Sequence, residues 1–434
     1  MNKRLLNASL LVAFFFGLDK LFALGRQYLA AQAFGLSADF DAFNVSNNLP
    51  DTLVAILAGG GLSFALIPIL TETLDKHGEA RVWELFSYLL NLVLAITAAL
   101  SLLMALFPLP LVQWVLAPKF SLDRQLLVAE LMRLNLISTL LFATSALVMS
   151  GLHSHRHFLF PALAPIFYHI GQIIGLQWLA PQFGIHGLAY GVILGATGHL
   201  AIQVPGLLQH QFRWTPRLTL ADPTLRLALK LMGPRLVTIA FIHAIFIFND
   251  SLASQFSAGA ISALYYGWAI MQLPETVLAS AAGTALLPTL SELAAQNKSA
   301  ELRQLLRRAL GILLALTAPI AVLGMALIRP AIGLVLENRV FTAAESDWVA
   351  LATQMYLVGL VGHSLKEIAT RTLYAHKEVM VQVFTAAFNF ALFVTLSQLF
   401  IPTLNFAALG LANSLAVTAE VLVMLFILHR RKIL

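Results

Sequence analysis

The 434-residue chain contains no cysteine. Disulfides, thiol nucleophiles and thiolate metal sites are therefore excluded. Charge is nearly as scarce. Asp, Glu, Lys and Arg make up 11% of the residues, against about 25% in an ordinary soluble domain. A surface so poor in charge cannot be solvated by water on every side. No nucleotide-binding glycine loop, serine elbow or pair of catalytic carboxylates occurs either, so the chain is not expected to be an enzyme. What is present is apolar: 59% of the residues are hydrophobic and the mean hydropathy is +0.82. The apolar runs are continuous rather than alternating, which points to membrane-spanning helices and away from a β-barrel.

About 20 apolar residues cross a bilayer as one helix. Length and breaker residues mark twelve such segments, near 5–33, 42–70, 85–108, 125–151, 159–179, 186–206, 235–256, 261–288, 308–328, 346–372, 378–399 and 406–429. They are numbered here as spans 1 to 12. The expected class is an all-α integral membrane protein with about 12 transmembrane helices. Met1-Asn2-Lys3-Arg4 ahead of an apolar run imitates a signal peptide, but Asp19, Lys20 and Arg26 interrupt that run, and it is read as a span. With the N-terminus in the cytoplasm, 19 of the 27 basic residues fall in inner segments and four (Lys119, Arg124, Arg329 and Arg339) in outer loops. That bias places both termini inside. It also accounts for the net charge of +6, so nucleic-acid binding is not expected.

Two stretches repeat. NLPDTL at 48–53 precedes IPILTETL at 67–74, and QLPETV at 272–277 precedes LPTLSELA at 287–294. Pro50 and Pro274 are 224 residues apart and Pro68 and Pro288 are 220 apart, a shift of six spans. An even shift preserves orientation. The halves should therefore be parallel repeats about an axis along the membrane normal, a plan used by transporters. An N-terminal six-helix lobe is expected over 1–210, a basic cytoplasmic amphipathic connection along the membrane surface over 211–229, and a C-terminal six-helix lobe over 230–434. Proline inside a spanning helix frees a carbonyl and bends the helix, which is tolerated beside a water-filled cavity. Spans 2 and 8 should thus be bent, with Pro50, Gly60, Pro274 and Gly283 as hinge or gating positions; Gly59 and Gly61 complete the first glycine cluster.

Charges inside spans cost on the order of 2.5–3.5 kcal/mol each and mark functional candidates. Span 1 holds Asp19, Lys20 and Arg26. Asp19 and Arg26, seven apart, share a helical face, with Lys20 on its flank. Span 2 begins with Asp41 and carries Asp51. Lys20 and Arg26 suit an anionic headgroup such as a pyrophosphate, with Asp19 and Asp41 beside them; internal ion pairing is the plainer alternative. Asp250 in span 7, with Asn389 and Ser414 in spans 11 and 12, offers oxygens to a coupling cation, Na+ or H+. Glu130 and Arg133 are spaced to pair locally, and Lys366 and Glu367 to pair with Glu420. HSHRH at 153–157 has no carboxylate or cysteine near it in the sequence, so no metal site is expected there.

The stretch from Arg26 to Leu70, with FG (34–35), DAF (41–43), LP (49–50) and AxIPIL (65–70), resembles the MurJ (MviN) lipid II flippases. So do YY (265–266), QLP (272–274), LLPTLS (286–291), FxxPALAPI (158–166) and RTLYA (371–375). The resemblance runs along the whole chain. It implies the two-lobed fold of the multidrug/oligosaccharidyl-lipid/polysaccharide exporter superfamily in a bacterial inner membrane. It implies flipping of a lipid II-like, undecaprenyl-pyrophosphate-linked precursor from the inner to the outer leaflet by alternating access. The drive would be membrane potential or a cation gradient, with no other cofactor, and a monomer among membrane lipids is the expected unit. Arg26 and Asp41 match family residues, and Lys20 stands where the family has arginine. Val54 and Ala269 stand where the family usually has arginine, Gly59 where it has glutamate, and Trp268-Ala269 replaces an Asp-Arg pair. The sequence given stops after span 12, where the family typically has 14 spans. A related exporter of another lipid-linked glycan or of an amphiphile, or a paralogue that does not transport, is the alternative.

Overall fold

The computed structural model describes residues 3–57, 60–296, 298–376 and 378–434. Every regular element among the described residues is helical. In chain order these are α1 Lys3–Phe34, α2 Ala38–Leu57, α3 Gly60–His77, α4 Glu79–Leu106, α5 Pro108–Leu111, α6 Leu122–Ser154, α7 Leu159–Ile174, α8 Ala180–Phe183 and α9 Ile185–Ala201. There follow α10 Val204–Gln209, α11 Pro223–Ala253, α12 Ala260–Glu275, α13 Ala281–Ala295, α14 Ser299–Leu336, α15 Ala343–Leu357, α16 Leu360–Ala375, α17 Val379–Leu404 and α18 Ala407–Arg430.

Nine helical segments among the described residues are long and apolar enough to cross a membrane, and the pair α15–α16, bent by 45°, makes a tenth. They fall on spans 3 to 12. α1 and the α2–α3 pair occupy the places of spans 1 and 2. α2 over Ala38–Leu57 and α3 over Gly60–His77 both fall on the expected span 2, and Gly59, one of its glycine cluster, lies outside the described residues. Span 10 is bent at the break between α15 and α16. Large apolar side chains such as Leu334 and Trp114 are 88% and 83% exposed. Water would not tolerate a surface built of such residues, and lipid does.

The chain forms two compact units. The first holds Met1–Phe34 and Ala42–Ala240, the second Gly35–Asp41 and Phe241–Leu434. The second unit thus takes in the turn after α1 and the first residues of α2. α11 runs through the division, its first half in one unit and its second in the other.

In the first unit, α4 and α6 bury Trp83, Phe86, Leu89 and Leu147 against Leu66 and Leu70 of α3 and Leu225 and Met232 of α11. α7 and α9 approach through glycines. A Cβ on Gly171 would lie 2.2 Å from the backbone of Gly195, and one on Gly175 would lie 2.7 Å from Gly191. Small residues four apart allow this backbone contact, which dispersion alone must hold in lipid. The irregular stretch between α10 and α11 covers only 210–222 and lies along α4. Asn91 Nδ2 donates to the carbonyls of Thr215 and Arg217, and Trp214 Nε1 donates to Asn91 Oδ1. Asp222 caps α11, accepting from the N–H groups of Thr224 and Leu225 at 2.8 and 3.1 Å, and pairs with Arg81.

In the second unit, α12 and α13 run on through a π-helical turn at Thr276–Ser280, immediately after Pro274. The proline removes a hydrogen bond, and the wider turn absorbs the mismatch. α15 begins with a capping box, Thr342 accepting from Glu345 N–H and Glu345 Oε2 accepting from Thr342 N–H.

Candidate functional site

In the first unit α1 packs on α7, and Asp19 meets a partner the sequence did not suggest. Its Oδ1 lies 3.2 Å from His169 Nε2, both side chains being 13% exposed. Lys20 Nζ is 3.9 Å from Asp19 Oδ2, and the Lys20 side chain is 45% exposed. Arg26, two turns on, is half-buried. Asp19 thus meets both His169 and Lys20, its own side chain more buried than that of Lys20. Nearby, His199 and Ser145 share a hydrogen bond of 2.7 Å between Nδ1 and Oγ, and Gln203 Nε2 donates to the same Oγ at 2.6 Å. Sequence reasoning passed over His169 and His199. Their signal is a histidine inside an otherwise apolar span, in IFYHI and ATGHL.

Asp41 is placed by packing in the second unit. It is 1% exposed. Its Oδ2 accepts from Gly259 N–H at 2.6 Å, and its Oδ1 accepts from Ser262 N–H at 2.7 Å and from Ser262 Oγ at 2.6 Å. The carboxylate thus closes the N-terminus of α12, where orphan N–H groups and the helix dipole favour an anion. With three donors satisfied and almost no exposure, it caps α12 in this conformation instead of presenting oxygens to a headgroup. The turn before it is held the same way: Leu36 N–H donates to Glu345 Oε1 at 2.8 Å, and Gly35 and Gly259 take positive φ of 54° and 94°. A Cβ on Gly259 would lie 2.6 Å from the Leu36 carbonyl oxygen.

The three residues expected to hold a cation have separate commitments. Asn389 Nδ2 donates to Glu420 Oε2 at 2.6 Å, and that oxygen also takes Lys366 Nζ at 2.6 Å. The oxygen set thus already holds an ammonium of the protein's own. Ser414 Oγ donates to the carbonyls of Met355 and Tyr356. Asp250 accepts from Asn249 Nδ2 at 3.1 Å. Lys366 pairs with Glu420 as expected, whereas Glu367 takes Arg371 of its own helix. Glu130 and Arg133 do not pair with each other: Glu130 lies 3.4 Å from His186, and Arg133 Nε donates to the Ala105 carbonyl at 3.1 Å. A local pair of this kind contributes only about 0.2–0.5 kcal/mol, so a carbonyl left free at a helix end competes readily.

Of the hinge positions, Pro50 is buried within α2, Gly60 opens α3, and Pro274 precedes the π-helical turn. Gly283 is a close-packing position, where a Cβ would stand 3.1 Å from Glu367 Cγ on α16. At Trp268, where the resemblance leads one to expect a charge, aromatic rings gather. Its centroid lies 5.6 Å from Phe246, 5.4 Å from Tyr356 and 5.2 Å from His363. Val54, in α2, is half-buried, and Asp51 beside Pro50 is exposed.

Residues 30–434 match the family described as lipid II flippase MurJ. Among curated relatives, the lipid II flippase MurJ of Burkholderia cenocepacia is 28% identical over 99% of this chain and 84% of its own length. The probable lipid II flippase MurJ of Buchnera aphidicola subsp. Acyrthosiphon pisum is also 28% identical, over 96% of this chain and 82% of its own. A solved lipid II flippase MurJ in an inward closed conformation superposes with a TM-score of 0.82 at 22% identity, covering 98% of this chain and 89% of that one. An inward-facing multidrug resistance transporter of the MATE family gives a TM-score of 0.80 at 13% identity, over 95% of this chain and 94% of that one.

Proposed function

Because the chain belongs to the lipid II flippase MurJ family, we propose that it moves a polyprenyl-pyrophosphate-linked peptidoglycan precursor, lipid II in chemical class, from the inner to the outer leaflet of a bacterial inner membrane. The observation that carries this reading is the family match over residues 30–434, which takes in both copies of the proline-bearing helix. Lys20 and Arg26 are the cations that meet the pyrophosphate. An ammonium in a spanning helix with 45% of its side chain exposed is stable only against water or an anion, which supports the placement of Lys20. Arg26 adds the planar fork that binds phosphate oxygens in pairs. Asp19, paired with His169, fixes the turn of α1 from which Lys20 projects.

Alternating access draws on the bends around Pro50, Gly60, Pro274 and Gly283. Release of Asp41 from Gly259 and Ser262 is the change on the other side of the membrane from the expected cytoplasmic termini. The drive is membrane potential or a Na+ or H+ gradient. Among the residues considered for coupling, Asp250 is the carboxylate, and its charge inside a spanning helix supports this role; Asn389 and Ser414 are engaged by Glu420 and by backbone carbonyls. The working unit is a monomer.

The test is rescue of a bacterial strain depleted of its own flippase. Wild-type protein should restore growth and Arg26→Ala should not. Growth restored equally by Lys20→Ala and Arg26→Ala would remove the headgroup assignment, and no rescue by wild type would remove the substrate. The rings around Trp268 favour a second reading, export of a less anionic amphiphile; efflux of such compounds from a sensitive host without rescue would establish it in place of the first.

A further inference from the structure

The turn 153–157, with its three histidines, has no carboxylate beside it in the sequence but acquires one in the fold. Glu79, His155 and His210 each offer a ligand atom, and these atoms lie within 4.8 Å of one another. All three belong to the first unit, at the start of α4 and the ends of α6 and α10. Two similar helix ends bring the histidines there. His155 and His210 are the C-cap residues of α6 and α10, and each is followed by a non-glycine residue with positive φ, Arg156 at 58° and Gln211 at 50°. The next N–H reaches back over the last turn, His157 to Leu152 and Phe212 to Leu207. This Schellman closure fixes where each histidine leaves its helix.

One tryptophan then positions both. The indole of Trp83 stacks on the His155 ring at 4.5 Å with 7° between planes, and its Nε1 donates to the His210 carbonyl at 2.8 Å. His155 Nδ1 lies 2.8 Å from the Gly151 carbonyl, which can only accept, so Nδ1 carries the hydrogen and Nε2 the lone pair. That Nε2 is buried with no hydrogen-bond partner. A backbone carbonyl on one nitrogen and an open lone pair on the other is the arrangement that orients metal-binding histidines.

We propose that Glu79, His155 and His210 form a site for a divalent transition metal of the zinc class at the expected cytoplasmic face of the first unit. Two imidazoles and one carboxylate suit zinc and exclude magnesium and calcium, which need more oxygens than this set contains. Tetrahedral zinc ligands stand about 3.3 Å apart, so the side chains close inward on binding and leave a fourth position for water. The ion would tie together the ends of α4, α6 and α10.

The test uses the full chain in detergent, purified without a polyhistidine tag, stripped with chelator, incubated with zinc chloride and desalted. One zinc per chain should remain by elemental analysis, and cobalt(II) should give the intense visible bands of tetrahedral coordination. Glu79→Gln alters an exposed side chain at the first turn of α4 and leaves the fold intact. It should weaken zinc binding at least about 10-fold, and His210→Gln about 100-fold, at and beyond the range for losing an outer-shell partner. Retention of no zinc, or of zinc bound equally by wild type and Glu79→Gln, would overturn the site and leave the histidines as helix caps only.

Discussion

The first unit gathers two of its buried polar clusters around histidine: Asp19 on His169, Ser145 and Gln203 around His199. The second pairs full charges, Lys366 with Glu420 and Arg371 with Glu367, and surrounds Trp268 with rings. Yet both carry the same Leu-Pro-acid-Thr motif, and both carry it in a helix. A duplicated backbone device has therefore been filled with different chemistry. The proline position within the helix survives a change of neighbours. The side chains beside it are free to specialise, and in the first unit Lys20 stands on a spanning helix with 45% of its side chain exposed.

The sharpest way to break that contrast is to exchange functional loss between the units. Arg26→Ala should abolish rescue of a depleted strain, while Trp268→Ala should retain most of it; plating efficiency reads both, and the reverse pattern would move the binding site to the second unit. Next in size is the buried pair of the second unit. Lys366→Met leaves Glu420, 1% exposed, without its cation and should lower stability by about 3–5 kcal/mol, whereas Lys366→Met with Glu420→Leu should recover most of the loss. Thermal unfolding in detergent decides this, and equal losses in the single and double variants would show that charge pairing is not what holds α16 to α18. Asp41→Asn, which weakens three hydrogen bonds to a charged acceptor, should cost about 2 kcal/mol by the same measurement.

The smallest effect lies outside the spans, in the first unit. Burial alone would raise the Asp222 pKa, but hydrogen bonds from the Leu225 N–H and Arg81 outweigh it and hold the carboxyl below its usual range. A depressed carboxylate stabilises above its unfolded pKa, near 3.9, and loses that contribution as pH falls through the folded value. Wild type should therefore lose stability on acidification below about pH 4 by more than Asp222→Ala does, and the variant should be about 1 kcal/mol less stable at neutral pH. Parallel pH profiles would contradict the assignment.

Ten of the twelve span positions, spans 3 to 12, were legible because a continuous apolar run is a strong signal in a short window. The one bend among the described residues was not legible. The 45° bend between α15 and α16 has no proline; it falls at Gly359, where a Cβ would lie 2.7 Å from Ser414, so the cause is a close approach to a distant helix. The charged candidates were legible for the same reason as the spans, a charge in an apolar run being conspicuous. Their partners were not. Asp19 with His169, Asp41 with Gly259 and Ser262, and Glu79 with His155 and His210 are joined across 76 residues or more, and local spacing carries no trace of such pairs. Where spacing did suggest a pair, at Glu130 and Arg133, longer-range partners prevailed.

The account rests on a pyrophosphate lipid crossing the bilayer by way of Arg26, and reconstituted vesicles test that most directly. Purified protein is placed in liposomes carrying fluorescent lipid II, and a pyrophosphate-cleaving hydrolase added outside reports how much of the lipid reaches the outer leaflet. With membrane potential imposed, wild-type protein should expose the inner-leaflet pool to cleavage, and Arg26→Ala should leave cleavage at the level of protein-free vesicles. Cleavage that does not differ between wild-type and protein-free vesicles would contradict the account.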